Sequence, residues 1–353
     1  VPSSADPGSA DPGSATRQAT PSQVGCYPDL AGKVVLVTGG TGGLGAPLCR
    51  ALASQGAHVA VAGRQRAAVL ALAAELGRPA LAITADCTMP DQVQAMRDEL
   101  TAALGPPDGV VCLAGGAIIS AASGRPGTPH QQPVTPHQRP VTLHQWDTVL
   151  ANNLTATFLT VTAMVPLMRE RGRGTVVTVA SAAARIPSAA SSPPYAAAKA
   201  GVIALTRQLA REVAPDGVRA NCVSPSVIVT ATNAPAGERL DQLLRQHPLG
   251  RLGTPADVTA AVLFLLSAAS SWITGVTLDV AGGRTADLPI EPEPGQKRKH
   301  DEPSPYRIER PSRGGHASRA GRLRGNTRPY RRSRCHQRVH GERRTAQASA
   351  VLL

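Results

Sequence analysis

Between residues 31 and 284 short β-rich runs alternate with helical stretches, and few architectures accept that order. The runs are KVVLVTG (33–39), HVAVAG (58–63), ALAITADC (80–87), GVVCLAGG (109–116), GTVVTVAS (174–181), VRANCVSP (218–225) and GVTLDVAGG (275–283). Between the first two lies a helical segment, 43–56, with Leu44, Leu48 and Leu52 at i, i+4 and i+8. Strands separated by helices join as parallel neighbours through crossovers, and the crossover helices cover both faces of the sheet. The expectation is an α/β fold with one parallel sheet, doubly wound, over residues 31–284.

The flanks read differently. Residues 1–30 contain the unit SADPG twice and little that could be buried, as in a disordered leader. Residues 284–353 hold 17 Lys/Arg against 7 Asp/Glu, and the residues before them hold 20 against 17. The net charge of +13 therefore belongs mainly to an Arg-rich tail, 285–353, read as disordered. Such a tail could bind nucleic acid or another polyanion through its arginines, although only Tyr306 and Tyr330 could stack on bases. A second irregular segment, 128–145, repeats every seven residues and places His130, His137 and His144 in register. Pro133, Pro136 and Pro140 argue against helix there, and no cysteine or carboxylate joins the histidines. The segment reads as a duplicated loop insert, with no metal site expected. Six scattered cysteines (26, 49, 87, 112, 222 and 335) form no Cys-x-x-Cys pair and suit a reducing compartment. No apolar run reads as a membrane span, and the N-terminus lacks signal-peptide order. The expectation is a soluble, cytoplasmic protein.

Two stretches carry chemistry. In VTGGTGGLG (37–45) the glycines follow a strand and open a helix, so the backbone can approach a pyrophosphate at the helix N-terminus. In SSPPYAAAK, Tyr195 and Lys199 stand four apart, on one face of a helix that Pro193 and Pro194 can start. Val202, Leu205, Leu209 and Val213 are expected to form its buried stripe, and Asp216-Gly217 to end it.

With the spacing of Thr38, Gly39, Gly43 and Gly45, and with Ser181, Tyr195 and Lys199 downstream, residues 32–284 resemble the short-chain dehydrogenase/reductase family, in particular its 3-oxoacyl-(acyl-carrier-protein) reductase-like members. The resemblance implies a Rossmann-type domain and an oxidoreductase that moves a hydride between a nicotinamide cofactor and a ketone or secondary alcohol. It implies an active site of Asn153, Ser181, Tyr195 and Lys199. Cofactor contacts would come from Thr38, Gly39, Gly43, Leu44, Gly45, Asp86, Cys87, Ala114, Gly115, Lys199, Pro225, Ile228 and Thr230. Gly63 stands where an acidic residue would hold a free ribose 2′-hydroxyl, and Arg64 follows, with Arg66 near. A guanidinium suits a 2′-phosphate, so NADP(H) is favoured over NAD(H). In this scheme Tyr195 protonates the nascent alkoxide, the Lys199 ammonium lowers the phenol pKa, Ser181 donates to the substrate oxygen, and Asn153 holds a water that feeds protons to Lys199. The closing helix and last strand usually form subunit contacts in this family, implying a homotetramer or homodimer.

The sequence departs from the family pattern at four places. Cys112-Leu113-Ala114-Gly115 stands where Asn-Asn-Ala-Gly is usual. The step from Ser181 to Tyr195 is one residue longer than usual. Ser226 replaces the glycine after Pro225, and the histidine repeat lengthens the loop before Trp146. A cofactor-binding protein with little catalysis is the alternative these departures leave open, beside a role for the tail in polyanion binding.

Overall fold

The computed structural model describes residues 25–116, 141–187, 191–231 and 233–286. Seven strands form one parallel sheet in the order β3-β2-β1-β4-β5-β6-β7: β1 (Val34–Thr38), β2 (His58–Gly63), β3 (Leu81–Thr84), β4 (Gly109–Cys112), β5 (Gly174–Val179), β6 (Val218–Pro225) and β7 (Thr277–Val280). Each lies within a β-rich run of the sequence. The helices are α1 (Gly45–Ser54), α2 (Arg66–Leu76), α3 (Pro90–Leu104), α4 (Leu143–Leu150), α5 (Ala156–Glu170), α6 (Pro193–Val213), α7 (Gly237–Arg245) and α8 (Pro255–Leu266).

Strand β1 is buried along its whole length, and its side chains alternate between two cores. Val34 and Leu36 join Met96, Leu100, Met164 and Met168 on one face. Val35 and Val37 join Leu48, Leu52, Val262 and Leu263 on the other. The order in which successive strands are added reverses between β1 and β4, although all the strands stay parallel. In an open α/β sheet, the crevice beyond the strand ends at such a point is where ligands bind.

Two expectations need correction. Residues 25–30, read as part of the leader, belong at least in part to the folded body. Pro28–Leu30 form a helical turn, Leu30 is 2% exposed, and the Asp29 carboxylate accepts from the Ala268 amide at 2.8 Å. Low hydrophobicity hid this segment, because one buried leucine and one carboxylate suffice to dock it. Residues 141–145, counted with the insert, start α4. Thr142 and Gln145 form a reciprocal capping box, and His144 lies on the helix. The rest of the insert, with His130 and His137, lies outside the described residues, as do the tail from 287 onward and residues 1–24. The continuous helical run 143–170 is by length and composition apolar enough to cross a bilayer. In this fold Val161, Met164, Val165 and Met168 of that run lie in the core beneath the sheet.

Helix α6 begins as its sequence predicts. Ser192 is the extended N-cap, and Pro193 and Pro194 occupy the first turn, where no amide donor is lost. Gly217 closes the segment at φ +70°, in left-handed backbone that favours glycine. The buried stripe is shifted by one position. It runs through Ala198, Val202, Thr206, Ala210 and Val213, while Leu205 and Leu209 lie half-buried at its flank. Thr206 is accepted inside because its hydroxyl bonds Thr178 across the helix–sheet contact at 2.6 Å.

At the opposite end of the sheet from the cleft, Arg219 of β6 donates to Thr175 Oγ1 (3.1 Å), Ser270 Oγ (3.0 Å) and the carbonyls of Leu265 (3.0 Å), Ser267 (3.2 Å) and Ile273 (3.3 Å). One guanidinium thus satisfies the end of α8 and the turn after it. Arg219→Leu is expected to destabilise the fold by about 2–3 kcal/mol through these orphaned acceptors, read as a lower urea midpoint.

Candidate active site

The first half of the site is a cradle of about 390 Å³ over the C-terminal ends of β1, β2 and β4. Gly39 leaves β1 at φ +66°, and a Cβ there would stand 2.8 Å from the Leu113 carbonyl oxygen. A Cβ at Gly45 would overlap the Gly39 carbonyl oxygen. These glycines therefore hold the turn tight against the exit of β4 and keep the α1 N-terminus open. Gly39, Gly43, Leu44, Gly45, Arg64, Asp86, Cys87, Ala114 and Gly115 all border this cradle. Asp86 ends the β3 exit in a turn, with Oδ1 accepting from the amide (2.9 Å) and hydroxyl (2.7 Å) of Thr88. Arg64 is exposed at the rim and forms no ion pair among the described residues. Burial pushes the Cys87 thiol up to about 11, so it stays a neutral, small apolar wall.

Thr38 is placed differently. Fully buried behind this wall, it accepts from the Ala114 amide at 3.4 Å and donates to the Val111 carbonyl at 3.5 Å. It ties β1 to the exit of β4 instead of lining the cleft. Arg66, in the first turn of α2, does not line it either.

The second half is a cleft of about 620 Å³. Leu44, Leu113 and Gly115 border both halves, so the two are continuous. Ser181, Tyr195, Lys199, Pro225, Ile228 and Thr230 line the second. Ser181 leaves β5 as the N-cap of a short helical turn and accepts from the Ala183 amide at 3.2 Å. Its side chain lies close enough to the Tyr195 phenol to favour the ionised form. Lys199, 6% exposed, donates to the Val179 carbonyl at 2.9 Å, with its ammonium 5.8 Å from the centre of the Tyr195 ring. Burial drives the Lys199 pKa down to about 8. The loop after β6 passes over the glycine turn, where a Cβ at Gly43 would lie 3.0 Å from Thr230 Cγ2.

Burial also raises the Tyr195 phenol above its ordinary value, against the sequence expectation that Lys199 lowers it; the nearby Ser181 side chain opposes the rise without cancelling it. The physical reason is placement. The ammonium is anchored to Val179 and lies over the ring face, so desolvation of the phenolate dominates.

The chain from residue 39 to residue 285 matches the family model described as enoyl-(acyl carrier protein) reductase. It is 34% identical over 264 residues to mouse dehydrogenase/reductase SDR family member 4, covering 73% of this chain and 89% of that one. It is 35% identical over 261 residues to D-threitol dehydrogenase of Mycolicibacterium smegmatis, covering 72% and 94%. The chain belongs to the short-chain dehydrogenase/reductase family. Among solved structures it is similar to a short-chain dehydrogenase/reductase from Mycobacterium marinum (TM-score 0.65, 35% identity, 74% of this chain and 98% of that one). A 3-oxoacyl-acyl-carrier-protein reductase from Brucella melitensis with bound NAD is similar as well (TM-score 0.65, 31% identity, 73% and 93%).

Within this short-chain dehydrogenase/reductase frame, Asn153 sits apart from the other three active-site candidates. The helix between α4 and α5 widens to a π-turn over Ala151–Thr155, and Asn153 is fully buried in it. Its Nδ2 donates to the carbonyls of Val149 (2.9 Å) and Gly116 (3.1 Å), and its Oδ1 accepts from the Gly116 amide at 3.1 Å. The side chain therefore clamps the segment after β4 and does not border the cleft. Asn152, which the sequence did not single out, borders the cofactor half, as does Thr41. A residue one step along a π-turn faces a different direction from its α-helical counterpart, so no sequence period marks it. Cys112, in the first position of the altered Asn-Asn-Ala-Gly motif, is 2% exposed, and burial raises its thiol pKa strongly. Leu113, in the second, makes an apolar wall shared by both halves.

Proposed function

We propose that the protein is an NADP(H)-dependent oxidoreductase of ketones and secondary alcohols, with 3-oxoacyl thioesters among the candidate substrates. One observation carries the reading: Ser181, Tyr195 and Lys199 meet on the wall of a cleft that runs unbroken into a glycine cradle suited to a pyrophosphate. The cradle suits a dinucleotide because Gly39 and Gly45 keep the turn beneath it tight, where a Cβ would strike neighbouring backbone, while Asp86 and Arg64 border it and are proposed to meet the adenosine. When bound, the nicotinamide supplies the hydride.

The chain's own groups would do the rest. Ser181 directs its hydroxyl to the substrate oxygen, where negative charge grows as the carbonyl is reduced. Tyr195, kept protonated at neutral pH by burial, delivers its proton to that oxygen. Lys199 holds the ring from below and stabilises the phenolate left behind. Asn153 acts as a positioning residue, through Gly116. The test is NADPH oxidation by the full chain with a panel of ketones and 3-oxoacyl thioesters. NADPH binding with no turnover on any member would sink the catalytic reading.

Arg64 is the residue proposed to select the phosphorylated cofactor. Arg64→Gln is expected to lower kcat/KM for NADPH about 10–100-fold, the worth of a charge-assisted contact, with little change for NADH. An equal loss with both cofactors would remove the argument for NADP(H). A cytoplasmic location and a homo-oligomer are proposed with it. The exposed Val276 and Leu278 beside or on the edge strand β7, and Trp272 before it (98% exposed), support association through that edge. Light scattering on the purified chain measures the oligomeric state.

A further inference from the structure

Two guanidinium groups line the substrate half of the cleft, and among the described residues no Asp or Glu lines it with them. Arg284 follows β7 and is half-buried; its Nη1 donates to Ser226 Oγ at 3.2 Å. Arg239 stands on the first turns of α7, four residues before Leu243 and thus on the same helix face, which borders the cleft. Neither arginine forms an ion pair among the described residues, although seven other ion pairs do form there.

What holds Arg284 is neutral, and the hydrogen bonds say why. His247 is 2% exposed, and its Nδ1 lies 2.6 Å from the Leu243 carbonyl, which can only accept. Nδ1 therefore carries a proton. Burial, with Arg284 nearby, lowers the His247 pKa, so Nε2 is bare at neutral pH. The Ser226 hydroxyl, 3.0 Å away, donates to Nε2 and turns its lone pairs to Arg284. A glycine after Pro225 could not do this; the serine that replaces it is the anchor. The guanidinium is held by this contact and partly desolvated, and among the described residues its side chain makes no further hydrogen bond or ion pair.

We propose that the substrate carries an oxyanion, a carboxylate or a phosphate ester, which Arg284 and Arg239 bind while its carbonyl meets Ser181 and Tyr195. This rests on the reductase reading above and narrows it to acidic ketones and the corresponding hydroxy acids or phosphates. The cleft volume of about 620 Å³ accommodates a small or medium-sized molecule of this kind.

The experiment uses the full chain, NADPH and sets of ketones of one skeleton, each as free carboxylate, methyl ester and phosphate ester. The readout is the ratio of kcat/KM between anionic and ester forms within each protein, so a general loss of activity in a variant cancels. An anionic form favoured about 10–100-fold is expected, with the ratio falling toward one in Arg284→Gln and partly kept in Arg284→Lys. Preference for the phosphate over the carboxylate arm, or the reverse, names the group. The inference is overturned by a ratio near one in the parent protein, by a ratio unchanged in Arg284→Gln, or by a variant whose only change is a raised KM for NADPH. Calorimetric titration of the same oxo acids into the protein separates the two readings. If nothing turns over but an acid binds in an Arg284-dependent way, the anion site stands and the reductase reading fails. Turnover of neutral ketones without any preference or binding of acids leaves the reductase and removes the anion site.

Discussion

Replacing Tyr195 by phenylalanine is expected to lower kcat about 10²–10⁴-fold, the usual worth of a positioned general acid. The ring stays, so its packing and the Lys199 ammonium over its face persist. Only the phenol oxygen and its link to Ser181 are lost. Dinucleotide binding should be nearly unchanged, because the glycine cradle lies at the other end of the cleft from Tyr195. Steady-state kinetics beside a fluorescence titration of NADPH separate the two. Retention of more than about a tenth of parental kcat would mean that another group supplies the proton. The raised phenol pKa adds a pH expectation with a definite sign. Reduction needs the protonated phenol, which by itself would hold the rate until above the ordinary tyrosine value; the Lys199 ammonium, with its pKa of about 8, is lost first, so the rate should be flat at neutral pH and begin to fall above about pH 8.

Lys199→Met is expected to cost about 10²–10³-fold in kcat, the scale of removing one electrostatic donor from an active site, and at the same time to stabilise the fold. The lysine is 6% exposed, with its pKa lowered from 10.5 to about 8 by burial. At pH 7 it is charged in both folded and unfolded chains, and the folded state bears a desolvation cost of about 3 kcal/mol. Methionine removes that cost but orphans the Val179 carbonyl, so the net gain is on the order of 1–2 kcal/mol. Between pH 8 and 10.5 the unfolded chain keeps a proton that the folded chain has released. Native stability of the parent therefore rises with pH across that window, and the advantage of Lys199→Met should shrink and vanish. Urea midpoints of both proteins from pH 7 to pH 10 test this. A difference that stays constant with pH would show that Lys199 keeps its ordinary pKa.

Serine, tyrosine and lysine were legible as a unit because each is fixed by a local rule: a strand end for Ser181, a proline-started helix for Tyr195 and Lys199. The glycine turn was legible for the same reason, since backbone that must turn at φ +66° beside another chain segment leaves little choice of residue. Other side chains take their places from neighbours distant in sequence. The resemblance places Thr38 at the cofactor, whereas its hydroxyl bonds the end of β4, 73 to 76 residues away. The resemblance gives Asn153 a proton path; in this fold a π-turn sets its amide against Gly116. The stripe on α6 was read through Leu205 and Leu209, yet packing against β5 turns Thr206 and Ala210 inward.

The sequence by itself determined the order of strands and helices, the glycine cradle and the Tyr195–Lys199 face, because periodicity and backbone conformation act over a few residues. Only the tertiary structure decided which groups face the cleft and in what charge state. It set the phenol above its ordinary pKa and the ammonium below its own, and it gathered Ser226, His247 and Arg284 from three separate segments. Charge states depend on desolvation and on neighbours across the sheet, and these exist only after the chain has closed around them.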